Sequence, residues 1–187
     1  MKTQRKSTAP EKKADNTESV LVRFYRGREK DSEGRTIEEI WQMNEQALEY
    51  THDYIQWLFP LPQKSGFNPN APILNKADIR NFSTDESLKF RIQRSFEVML
   101  AFYGFSKVPM EGSPVVLPSP DFAKRISVWL TRGNHNYLRI SRILNFLMLV
   151  GLNEEAKMFF KALEEVNKMN HSKIGSAFSY WRAAVTH

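Results

Sequence analysis

Cysteine is absent from the 187 residues, which excludes a disulfide scaffold, a thiol nucleophile and Cys-ligated zinc or iron–sulfur chemistry. Glycine is sparse. Its eight residues never assemble into G-x-x-x-x-G-K-S/T, G-x-G-x-x-G or G-x-S-x-G, so the backbone cradles for nucleotide phosphates and the strained nucleophile turn are missing. His52, His135, His171 and His187 stand too far apart for a local metal motif, and no H-E-x-x-H occurs, so neither a metal nor any other cofactor is expected. No run approaches the roughly 18 apolar residues that a membrane span needs, and Met1 to Ser19 holds no apolar segment of a signal peptide. The expectation is a soluble, cytoplasmic chain. Strand-type alternation is nearly missing, and no period of about 20 to 50 residues marks a solenoid.

What is present is the composition of one globular domain, 41% hydrophobic and 26% charged. The formal net charge of +6 is unevenly spread: Lys2, Arg5, Lys6, Lys12 and Lys13 against Glu11 place +4 of it in the first 14 residues. The sequence therefore reads as a basic, disordered tail over 1–19 and a nearly neutral helical domain over 20–187. Nucleic acid is not the expected partner, because most of the basic signal sits in that tail.

Val20 to Tyr25 reads as a short apolar entry, and helical spacing dominates from Ile37 onward. Ile37, Ile40, Trp41, Ala47 and Leu48 predict a helix from Ile37 to about Tyr50, and Asn75 caps a short one over Lys76 to Phe82. Ser83 and Glu86 read as a capping box opening a helix on Leu88, Ile92, Phe96, Met99 and Tyr103, which Gly104 closes with a left-handed cap. Val108 to Pro118 reads as a loop, and Ser119 with Pro120 opens the helix carrying Phe122, Ile126, Trp129 and Leu130. Three further helices follow, over Asn134 to Val150, Asn153 to Met169 and Ser172 to Val185; the first is almost wholly apolar in its second half and belongs at the centre. The fold class is all-α: a compact bundle of about six or seven helices in a single domain.

Two segments could carry chemistry. Arg132, His135, Arg139 and Arg142 recur at i, i+3, i+7 and i+10, a spacing that aligns them on one helix face. Guanidinium forks bind carboxylate or phosphate bidentately, so the stripe reads either as an anion site or as a set of clamps to acids on neighbouring helices, such as Asp53 or Glu97. The second segment, His52 to Pro60, packs three aromatics and two aliphatics into nine residues, more than one buried stripe needs. The plain structural alternative is core packing for Trp57 and Phe59 and capping for His52 and Asp53. Combined, the two segments suggest a shallow groove in which Tyr54, Trp57 and Tyr137 supply aromatic contact while His135, Arg139 and Arg142 hold an acidic ligand, with His52, Asp53 and Arg132 at its edges.

His52 to Pro60, Met99 to Gly104, Asn134 to Leu144 and Val150 to Leu152, together with Arg23 to Tyr25, resemble in that order the conserved domain of the opioid growth factor receptor family. The likeness spans roughly Arg23 to Val166, and Ser141 stands where the family pattern has Thr. It implies an all-helical domain and, for the animal members, a peripheral receptor for an enkephalin peptide at the nuclear envelope that restrains proliferation. No ligand-contact residues are carried over from the family. The chain reads as a compact single-domain member, non-enzymatic, binding an unknown peptide or acidic ligand, with peripheral membrane association implied by the resemblance. Two alternatives stand beside it: nucleic-acid or anionic-membrane binding through the tail and the arginine stripe, and a hydrolase or transferase using His52, Asp53 and His135. Oligomeric state is not legible.

Overall fold

A computed structural model describes residues 18–66 and 68–186. Most of the expected tail, residues 1–17, lies outside them. Glu18 and Ser19 are tied to the first helix: the Glu18 carbonyl accepts from Arg23 at 2.7 Å, its carboxylate accepts from Arg26 at 2.8 Å, and the Ser19 hydroxyl accepts from Val22 N–H.

Ten helices and one hairpin make up the described residues: α1 (Val20–Tyr25), α2 (Ile37–Trp41), α3 (Glu45–Tyr50), α4 (Tyr54–Leu58), α5 (Lys76–Thr84), α6 (Glu86–Tyr103), β1 (Phe105–Val108), β2 (Val115–Pro118), α7 (Phe122–Trp129), α8 (Asn136–Leu149), α9 (Asn153–Ile174) and α10 (Ala177–Val185). The fold is mostly α, as the spacing predicts, but with more and shorter helices. The helix expected from Ile37 to Tyr50 is two, because the Asn44 side chain accepts from Ala47 N–H at 2.8 Å and restarts the chain as an N-cap. The segment expected as a loop after Val108 is half strand. Its Val115 to Pro118 pairs antiparallel with Phe105 to Val108, Phe105 opposite Pro118, and lies against α9.

Caps also move. Asn75 caps α5 as expected, with Asp78 completing the box. Ser83 instead ends up inside α5, donating back to the Arg80 carbonyl, and Asp85 caps α6 by accepting from Ser87 and Leu88 N–H. A carboxylate that also meets Arg26 at 2.7 Å outcompetes a hydroxyl for that place. For α7, the cap residue is Asp121, which makes no side-chain cap bond; only the Ser119 carbonyl accepts from Phe122 N–H. The last two helices meet later than expected, since α9 continues through a non-helical Asn170 to Ile174.

Gly104 closes α6 in the left-handed region, φ 86°, and a Cβ there would lie 2.8 Å from the Phe122 Cα and 2.9 Å from the Arg125 Cβ. Glycine thus both permits the turn and lets α7 pack on the end of α6. The core runs through the middle of the molecule as a chain of edge-to-face aromatics, Tyr25 on Phe82, Phe82 on Phe146 and Phe146 on Phe59. Helix α8 sits between this cluster and α9 and α10. Trp181 of α10 is fully buried, and its indole donates to the Tyr137 carbonyl at 3.0 Å.

Candidate functional site

Helix α8 buries Tyr137, Arg139, Ile140, Ile143, Leu144, Phe146 and Leu147 and leaves one stripe facing out. That stripe is His135, Leu138, Ser141 and Asn145, a spacing that follows one side of the helix. It forms a ridge, because a groove lies on each side and these four residues line both. The groove towards α4, about 570 Å³, adds His52, Ile55, Gln56, Leu61, Lys64, Arg139 and Arg142. The groove towards α10, about 770 Å³, adds Arg132, Tyr137, Lys173, Ile174 and Tyr180. Neither has an aspartate or glutamate among the described residues that line it.

The expected arginine stripe is divided by this ridge. Arg132 stands exposed in the turn before α8 and faces the α10 groove, whereas Arg139 and Arg142 face the α4 groove. Arg139 is buried. Its guanidinium donates to the carbonyls of Leu48 and Thr51, each at 2.8 Å, and of Glu49 at 3.2 Å, and lies over the Tyr54 ring. These are the free carbonyls at the end of α3, so Arg139 is a C-terminal cap reaching across about ninety residues of chain. It is a clamp, as one reading of the stripe held, but on backbone rather than on acids. Arg142 is half-buried and donates to the Phe59 carbonyl at 3.2 Å. No carboxylate among the described residues pairs with it, and desolvation holds its pKa below the ordinary arginine value.

The histidines converge. The His52 and His135 rings lie with centroids 4.9 Å apart at the mouth of the α4 groove. His135 Nε2 stands 3.5 Å from a Glu49 carboxylate oxygen, while Asn136 donates to the other oxygen. At 3.5 Å this is an ion-pair contact for a protonated ring rather than a formed hydrogen bond. Burial lowers the His135 pKa, and neighbouring Arg139 lowers it further, outweighing the pull of Glu49. Asp53 does not join them, since Arg35 holds its carboxylate.

The expected aromatic contacts are redistributed for a physical reason, the demand of the core for large apolar surface. Tyr54 is fully buried and donates to the Leu48 carbonyl at 3.0 Å. Trp57 is buried against Phe24, with centroids 5.1 Å apart. Neither lines a groove. Tyr137 lines the α10 groove while packing edge-on against Trp181. Sequence reasoning passed over Gln56, a buried polar residue that lines the α4 groove. It is 7% exposed, its Nε2 donates to Ser65 Oγ at 3.0 Å, and its Oε1 has no hydrogen-bond partner among the described residues. The available signal was an amide standing alone in the apolar run from Tyr54 to Phe59.

The chain matches the family described as the opioid growth factor receptor (OGFr) conserved region over residues 14–187. It is a member of the opioid growth factor receptor family. The rat opioid growth factor receptor (Rattus norvegicus) is 35% identical over 158 residues, 81% of this chain and 27% of the receptor. The human receptor (Homo sapiens) is 36% identical over 141 residues, 73% of this chain and 20% of the receptor. The mouse opioid growth factor receptor-like protein 1 (Mus musculus) is 34% identical over 134 residues, 70% of this chain and 28% of that protein. The chain therefore spans about a quarter of the length of these relatives, whose names describe receptors rather than enzymes. No solved structure matches the chain. For this member of the opioid growth factor receptor family, no helix among the described residues is long and apolar enough to cross a membrane, and no group of three or more acidic or histidine side chains there could hold a metal.

Proposed function

We propose that this opioid growth factor receptor-family domain is a non-catalytic binding module that receives an acidic peptide on the outer face of α8. The observation that carries the reading is Arg142: a largely desolvated guanidinium, lining a groove without carboxylates, whose charge no acid of the described chain neutralises. Burying an unpaired cation is costly, and an incoming carboxylate repays that cost with charge-assisted bonds. Names of the rat and human relatives as growth-factor receptors fit a domain that captures a ligand and transforms nothing. The hydrolase alternative loses support because Asp53 is engaged by Arg35 instead of orienting either histidine.

Isothermal titration calorimetry with a synthetic hexapeptide carrying two aspartates and a free C-terminal carboxylate, against its two-asparagine, C-terminally amidated counterpart, tests the reading. The aspartate peptide binds, the asparagine peptide binds at least tenfold more weakly, and Arg142→Gln removes that difference. Equal binding of the two peptides by the native protein overturns the proposal. A response that instead falls steeply with salt for any polyanion, duplex DNA included, favours the nucleic-acid alternative.

A further inference from the structure

The α4 groove offers two unmet demands of opposite kind, and together they describe one ligand. Arg142 has donors to spare and no acid partner among the described residues. Gln56, more than nine-tenths buried, lines the same groove and carries a buried acceptor oxygen with no donor among the described residues. A buried acceptor left bare is destabilising, so a ligand that supplies the donor is favoured over one that does not. Between them the wall is apolar, built from Ile55, Leu61 and Leu138. The ligand must present a carboxylate, an N–H donor close to it and an apolar group.

We infer that the α4 groove is a subsite for the C-terminal residue of a peptide: the terminal carboxylate on Arg142, a main-chain N–H donated to Gln56 Oε1, and an apolar last side chain against Ile55, Leu61 and Leu138. A peptide terminus is the simplest molecule with those three features at fixed short spacing. An aspartate or glutamate inside a chain carries its carboxylate on a side chain, in place of the apolar group. A phosphate or anionic lipid headgroup supplies the negative charge but no amide N–H. The cavity volume of about 570 Å³ suits two or three residues. Lys64 at the rim adds a second positive charge without competing for the buried position. This inference rests on the acidic-ligand reading above and narrows it.

Fluorescence anisotropy on the full chain separates the two. Three labelled hexapeptides serve as probes: one ending in Ala-Leu with a free carboxylate, the same peptide with a C-terminal amide, and an amidated peptide with two internal aspartates. The free acid binds. The amide binds roughly tenfold more weakly or worse, the loss that goes with removing a charged hydrogen bond. Arg142→Gln weakens the free acid to the level of the amide, and Gln56→Leu, which keeps the volume and removes the acceptor, weakens it several-fold; circular dichroism confirms that both variants stay folded. Equal affinity for acid and amide overturns the inference, as does an unchanged affinity in folded Arg142→Gln. If only the internal-aspartate peptide binds and depends on Arg142, the terminal assignment falls and the acidic-ligand reading stands. If none of the three binds, both fall. Tighter binding of anionic phosphatidylserine vesicles than of the free acid also overturns it in favour of a membrane surface.

Discussion

Two arginines three residues apart on α8 have opposite roles, and the difference lies in what each guanidinium touches. Arg139, itself buried, donates to three carbonyls at the end of α3. Removing it strands the Glu49 and Thr51 carbonyls and leaves that of Leu48 with Tyr54 alone, so Arg139→Ala destabilises the domain by about 2 kcal/mol or more in urea denaturation, and Arg139→Lys rescues only part because an ammonium cannot reproduce the fork. Arg142 has one backbone acceptor and a half-buried charge, so Arg142→Gln leaves the unfolding free energy from urea denaturation within about 0.5 kcal/mol of native. A collapse of both variants would make both residues scaffold. His135 adds a pH dependence. Its folded pKa is depressed below the unfolded value near 6.5, chiefly by burial, so the stability it contributes is present above about pH 6.5 and is lost as pH falls through the folded value. The thermal midpoint of the native chain therefore declines between pH 7 and pH 5, and His135→Asn flattens that decline. Glu49, Arg139 and His52 are the charged or titratable neighbours that set its size.

Among the elements, amphipathic spacing is the part of the fold that a sequence states most openly. Leu88, Ile92, Phe96, Met99 and Tyr103 are all buried on α6, and Gly104 ends it in the left-handed conformation. The capping residue was harder to read, because Ser83, Asp85 and Glu86 all suit a helix start and only the position of Arg26, about sixty residues earlier, decides among them. Asp85→Ala accordingly destabilises the domain by about 1 kcal/mol or somewhat more, while Ser83→Ala is nearly neutral. Guanidinium chloride midpoints of the two variants check this, and a larger loss for Ser83→Ala would restore it as the cap. The hairpin was illegible for a related reason. Its strands are four residues each and do not alternate cleanly between buried and exposed positions, so their pairing is set by contact with α6 and α9 rather than by local pattern. The clamp made by Arg139 left no trace either, since its partners are main-chain carbonyls, which every residue possesses.

At the scale of the molecule, a helix that packs into the core along its inner side is also the one that offers a surface. Helix α8 is held on its inner side by α9, α10 and the aromatic chain through Phe146, and this leaves a single outward ridge with a carboxylate-free groove on either flank. Of the spaced cations Arg139 and Arg142 lie on this helix and Arg132 in the turn before it, and the spacing could not say that the ridge would split them, because the division depends on where α4 and α10 dock. Leu138 is the test of the whole arrangement, being 66% exposed at the crest and lining both grooves. An exposed leucine makes few contacts to lose, so Leu138→Glu changes the stability by no more than a surface substitution does, about 0.5 kcal/mol. It nevertheless sets a negative charge beside both grooves. Binding of the free-acid peptide then weakens several-fold at low salt, and Leu138→Lys strengthens it, with the gap between the two variants closing as added salt screens the charge. Identical affinities for Glu and Lys at this position would mean that the ligand approaches elsewhere, and the ridge would be a surface without a guest.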